Sequence, residues 1–166
     1  MPMIQWTQEF TTGVEAIDDD HKVLISLINQ LGEAIRGGEP QATVRRVLDE
    51  LVEYTAYHFN REEALMEACR YPDLEAHRRT HTTLKVQVAD IRDRYSRHPE
   101  AVHAREILAL LKNWLSAHIM GRDKLYAPFM AAKREAVDAA AETFVAQTAG
   151  SAPAMAAQQH LAAVQP

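Results

Sequence analysis

The sequence predicts an all-α fold, an up-down-up-down four-helix bundle with an irregular N-terminal arm and an Ala-rich C-terminal extension. Three observations carry this expectation. Four segments of the 166-residue chain repeat apolar residues at the helical period. Each segment is bounded by Gly, Pro or Asp breakers and joined to the next by a short connection. No alternation of apolar and polar residues is long enough to compete as a strand. Amphipathic helices on short loops become antiparallel neighbours, because only then do successive apolar stripes share one core.

Residues 1 to 18 read as an irregular arm, with Trp6, Phe10, Val14 and Ile17 available to pack over the bundle. The first helix is expected from about Asp19 to Arg36. Asp18, Asp19 and Asp20 suit its N-cap and first turn, and Gly37-Gly38 stops it. Leu24, Ile28, Leu31 and Ile35 form its stripe. The second helix opens at Pro40 and runs to about Ala68, with Val44, Val47, Leu48, Leu51, Leu65 and Met66 inward. Tyr71-Pro72-Asp73 forces a turn. The third helix spans about Asp73, its expected N-cap, to Tyr95, with Leu74, Leu84, Val88, Ile91 and Tyr95 on one side. Pro99 starts the fourth, which carries Ile107, Leu111, Trp114 and Leu115 as far as Ile119 before Gly121 loosens the chain. Residues 1 to 130 then form the bundle domain. From Ala131 onward there are 14 alanines in 36 residues, broken by Gly150, Pro153 and Pro166. This extension is expected to be partly helical through Gln147 and disordered at its end.

Composition narrows the function classes. The length suits one domain with a real core. Net charge is −5 with acids and bases interspersed, and no basic cluster with interleaved aromatics tracks a phosphate backbone, so nucleic acid is not an expected partner. The N-terminus lacks the basic start and apolar run of a secretory signal, and no window is long and apolar enough for a membrane span. A cytoplasmic protein is the expectation. Cys69 is the sole cysteine, which excludes an internal disulfide and a thiolate cage. Any metal would be held by His and carboxylate.

The histidines fall on the stripes. His21 precedes Ile28 by two helical turns and Ile35 by four, so it points inward. On the second helix Leu48, Leu51, Thr55, His58, Glu62 and Leu65 step by three or four. The third reads Leu74, His77, His81, Leu84, Val88. On the fourth, His118 follows Leu111, Trp114 and Leu115. Asp123 comes five residues later and returns to that face only if the helix ends or bulges to a wider turn near Gly121. Singly, each inward His is more often a hydrogen-bonded core residue than a ligand. Together, five of the eight histidines and two acids converge from all four helices. Each without a partner would cost about 1–3 kcal/mol, which a domain of ordinary stability does not sustain. His98, His103 and His160 are expected at the surface. Seven donors exceed what one zinc accepts, so two metals are indicated. Mixed imidazole and carboxylate suit iron, with manganese, cobalt or zinc as substitutes.

The set His21, HFNREEALM with His58 and Glu62, HRRTH with His77 and His81, and HIMGRD with His118 and Asp123 resembles the hemerythrin family, closest to its single-domain bacterial members. Trp6, GVEAIDDDH at 13 to 21, YPD at 71 to 73 and NWLSAHIMGRDKLY at 113 to 126 agree with that family's flanking patterns. The resemblance covers roughly residues 4 to 130. It implies two irons, Fe2+ or Fe3+, joined by an oxo or hydroxo bridge. His77, His81 and His118 would bind one iron and His21 and His58 the other, with Glu62 and Asp123 bridging. One iron would be saturated and the second left with an open position for dioxygen, which would bind and leave reversibly. Trp114, Leu115 and Ile119 are candidates for the dry pocket around it. The family resemblance implies a binding protein for oxygen storage, delivery or transport, and not an enzyme. The rivals are a di-iron enzyme reducing peroxide or nitric oxide, which needs an electron donor, and an oxygen or redox sensor acting through the extension. Each ligand imidazole is expected to give its second ring N–H to an acceptor, and the protein partner is unknown.

Overall fold

The computed structural model describes residues 4–164; the first three residues of the arm, and Gln165 and Pro166 at the other end, lie outside the described residues. After a single 3-10 turn at Gln8–Phe10, helix α1 runs Glu15–Arg36. It starts four residues earlier than expected, with Val14 in extended conformation before it. Asp18 therefore lies within the helix and caps nothing. It accepts from the hydroxyls of Thr11 and Thr12 and from the Thr12 N–H at 2.6–2.8 Å, tying the arm to the bundle. The arm buries Ile4 and Phe10. At the other end Gly38, with φ of 67°, turns the chain out of α1 in a conformation that costs residues with a Cβ.

Helix α2 spans Gln41–Ala68 behind Pro40, and all six of its expected inward residues are buried. It ends where Arg70 takes the left-handed conformation, φ 55°, and the Tyr71 N–H donates back to the Met66 carbonyl. Helix α3 covers Leu74–Arg97. Asp73 occupies its N-cap, though through its backbone carbonyl and not its side chain. Pro99 opens only a 3-10 turn, and α4 begins at Ala104 and ends at His118. The chain does not loosen at Gly121. It passes through a π-helical turn, Ile119–Asp123, into α5, Lys124–Ala132.

Helix α1 packs against α2 and α4, and α2 against α3; α3 meets α4 through the rings of His77, His81 and His118. The extension departs from expectation. Two further helices, α6 at Arg134–Thr148 and α7 at Ala152–Val164, lie along the bundle instead of fraying. Helix α6 packs on α2 and α7 on α1 and α2. Val137 and Phe144 are buried there. So is His160, expected at the surface. Its Nδ1 meets Ser26 and Gln30 and its Nε2 lies 3.0 Å from Glu50 Oε1. An Ala-rich helix with weak amphipathicity gives little periodic signal for docking, so its contacts escaped the reading of the stripes.

Two apolar clusters divide the core. One gathers Leu24, Leu51, Tyr54, Val88, Leu111, Leu115 and Ile119. The other gathers Ile17, Leu65, Met66, Tyr71, Tyr126 and Met130. Along α1, α2 and the α4–α5 rod, the inward polar residues fall between the two. A polar layer is thereby sealed by apolar side chains above and below.

Candidate metal centre

Helical phase delivers the seven inward donors to one place. His21 on α1 is one turn from Ile17 and from Leu24. His58 and Glu62, one turn apart on α2, sit between Tyr54 and Leu65. His77 and His81 do the same on α3. On an α-helix, residues five apart do not share a face, but the π-helical turn at Ile119–Asp123 inserts the extra residue that swings Asp123 back beside His118. The bulge named as a condition in the sequence is present. Exposures are 0% for His21, Glu62, His81 and Asp123, 1% for His58, 4% for His77 and 6% for His118.

Each of the five Nε2 atoms approaches a carboxylate oxygen. His81 and His58 face Glu62 Oε2 at 3.1 and 3.4 Å. His118 and His77 face Asp123 Oδ1 at 3.1 and 3.3 Å, and His21 faces Asp123 Oδ2 at 3.2 Å. The donors form two overlapping sets able to hold an ion. Glu62, His77, His81, His118 and Asp123 make one, and His21, His58, Glu62 and Asp123 the other, all ligand atoms within each set lying inside 4.8 Å. Both carboxylates are common to the two sets. Two donors at right angles, each about 2.1 Å from a shared cation, would stand about 3.0 Å apart, close to the spacings observed.

The polar bookkeeping supports a cation. Both oxygens of Glu62 and of Asp123 and the Nε2 atoms of His21, His77, His81 and His118 are buried without a hydrogen-bond partner. Such atoms cost about 1–3 kcal/mol each when left unmade. Burial would raise the Asp123 pKa, but His118, His21 and His77 hold it well below the usual range. Burial and Asp123 would raise Glu62, and His81 and His58 outweigh them and lower it. Two carboxylates kept anionic side by side in an apolar interior are the electrostatic signature of a cation site.

Outer partners emerge that the stripes did not reveal. His58 Nδ1 meets Asp20 Oδ2 at 3.2 Å, and His81 Nδ1 meets Glu63 Oε1 at 2.8 Å. With Nε2 turned to the donor layer, these Nδ1 atoms carry the proton and donate it. Burial would lower the His81 pKa, but Glu62 and Glu63 raise it to about 9. His21 departs from the expected pattern, because its Nδ1 is buried without an acceptor. Asp20, assigned to helix capping in the sequence, is instead 1% exposed. Its place beside the inward His21 gave no sign that it pairs with His58, 38 residues away. Phe59 was missed altogether, yet its ring stacks on His81 at 3.8 Å and 5°, meets Trp114 edge-on and lies tilted against His118. Tyr126 is fully buried, and burial, Glu62 and Asp123 push its pKa well above the ordinary value. Of the pocket candidates, Leu115 and Ile119 are buried and Trp114 partly so. His98 and His103 are exposed and belong to neither donor set.

A four-helix bundle with this mixed imidazole and carboxylate layer defines a class of metal-binding bundle proteins. The model of the hemerythrin HHE cation binding domain matches residues 12–130. Bacteriohemerythrin of Stenotrophomonas maltophilia is 35% identical over 127 residues, 76% of this chain and 81% of the relative. Bacteriohemerythrin of Methylococcus capsulatus is 32% identical over 80% of this chain and all of the relative. A solved wild-type hemerythrin superposes with a TM-score of 0.72 at 32% identity, over 78% of this chain and 98% of that one. The chain belongs to the hemerythrin family. The family match leaves residues 131–166 uncovered.

Proposed function

We propose that this chain binds dioxygen reversibly at a non-haem di-iron centre, for storage, delivery or transport. The observation that carries this reading is the pair of overlapping donor sets sharing Glu62 and Asp123. His77, His81 and His118 would hold one iron and His21 and His58 the other, with the two carboxylates common to both. A pair of irons with an oxo or hydroxo bridge would supply the electrons and the open position that dioxygen requires. The protein's own part is to orient, to exclude water and to restrain further chemistry. Asp20 and Glu63 fix the ring planes of His58 and His81 through their Nδ1 protons. Leu115, Ile119, Trp114 and Phe59 keep the layer dry, which prevents proton leakage to it. Five neutral imidazoles against two carboxylates favour the ferrous state more than the carboxylate-rich sites of ferritin-like bundles do, and so favour release over O–O cleavage.

The test is a metal count with optical spectra of the reduced protein before air, after air and after evacuation. Two irons per chain and a colour that reverses are expected. Iron-free purified protein, or a colour that evacuation does not reverse, overturns the reading.

A further inference from the structure

Asp20 is the meeting point of three donors. Tyr54 Oη lies 2.7 Å from its Oδ1, Arg61 Nη1 3.2 Å from the same oxygen, and His58 Nδ1 3.2 Å from its Oδ2. Arg61 is 8% exposed and is held from several sides. It donates to the Ala16 carbonyl and to the Tyr57 hydroxyl. Its guanidinium carbon stands 5.0 Å from the ring centroids of both Tyr57 and Phe144, and the two rings are 5.1 Å apart. Tyr57 belongs to α2. Phe144 belongs to α6, beyond the segment that the family model covers. A cleft of about 370 Å³ between the bundle and α6–α7 reaches Asp20 and Arg61, with Met155 and Leu161 on its outer wall.

The chain of contacts runs Phe144, Arg61, Asp20, His58, Glu62. A carboxylate accepting from Nδ1–H strengthens an imidazole as a ligand through its Nε2, which favours the more highly charged metal. A guanidinium on the same carboxylate divides that pull, and does so strongly where burial weakens screening. Resting on the di-iron reading above, we propose that Arg61 is a positioning residue through which the C-terminal extension tunes the centre. Phe144 holds the guanidinium on Asp20, and Asp20 thereby pulls less on His58. The extension biases the centre toward its reduced, oxygen-binding state.

The test uses the full-length, iron-loaded protein and the variants Arg61→Gln, Arg61→Lys, Phe144→Ala and Asp20→Asn, with Met155→Ala on α7 as control. Iron content, the midpoint potential from a mediated titration and the rate of iron release to a chelator are measured. Arg61→Gln and Phe144→Ala are expected to move the midpoint downward together, Arg61→Lys to recover part of the shift, and Asp20→Asn to move it upward. Iron release from Asp20→Asn should quicken roughly tenfold, the low end for loss of an outer partner of a metal ligand. Met155→Ala should change none of the three readouts. A midpoint unchanged or raised in both Arg61→Gln and Phe144→Ala, in proteins that keep two irons and an unchanged melting temperature, overturns the proposal. If Arg61→Gln does not fold, Phe144→Ala decides alone. Failure of the di-iron reading shows separately, as an unsubstituted protein without two irons.

Discussion

His77 and His103 are both histidines on or beside a helix of the bundle, yet only one reaches the donor layer. His77→Ala removes an Nε2 that faces Asp123 at 3.3 Å and should cost iron occupancy and lower the melting temperature of the loaded protein. His103→Ala, at an exposed position, should do neither; equal iron content in the two variants contradicts the assignment. His160 makes a different point. It was placed at the surface because it lies in an Ala-rich tail, and its burial depends on Ser26, Gln30 and Glu50 arriving from α1 and α2. His160→Ala removes its hydrogen bonds to these half-buried groups, each worth about 0.5–1.5 kcal/mol. Hydrogen exchange should then quicken along α7 while the donor layer keeps its iron. The inward direction of His21, His58, His77, His81 and His118 was legible because helical phase alone sets it. The partners of those rings were not, because Asp20 and Glu63 reach them across or around a helix.

The π-helical turn makes the sharpest claim about any single element. It places Asp123 beside His118 across five residues instead of four. Deleting Gly121, whose added Cβ would meet nothing within 4 Å, leaves His118 and Asp123 at the ordinary i, i+4 spacing and should preserve iron binding. Inserting one alanine after Gly121 turns Asp123 by about 100° and should cost the second shared carboxylate. Iron counts on the two length variants check this, and equal loss in both would mean the turn does more than set phase. The four main helices were legible because each stripe is strongly periodic. Their ends were not. The start of α1 at Glu15 depends on Asp18 binding Thr11 and Thr12, a contact with the arm that outweighs its suitability as a cap.

Removing the metals with a chelator should change how the whole molecule responds to pH. Without them, imidazolium and carboxylate compensate each other. The His81 pKa is raised in the fold to about 9 from an ordinary 6.5, burial being outweighed by Glu62 and Glu63. A raised value stabilises fully below 6.5 and is lost as pH climbs through about 9. Asp123 and Glu62 are depressed, so their contribution is present above the ordinary carboxylate values and lost as pH falls through the lowered ones. The stripped protein should therefore weaken steadily from about pH 6.5 to 9. The loaded protein should strengthen on leaving acid, because ligands must shed their protons to bind metal. Urea midpoints measured on both forms between those limits check the divergence, and parallel trends contradict it. From residue order alone came four amphipathic rods, the absence of strands and seven inward donors, because periodicity is a local property of the chain. The docking of α6 and α7, the clamp of Phe144 on Arg61 and the pairing of Asp20 with His58 arise only on folding. Each joins residues distant in sequence, whose meeting is set by helix packing and leaves no periodic trace.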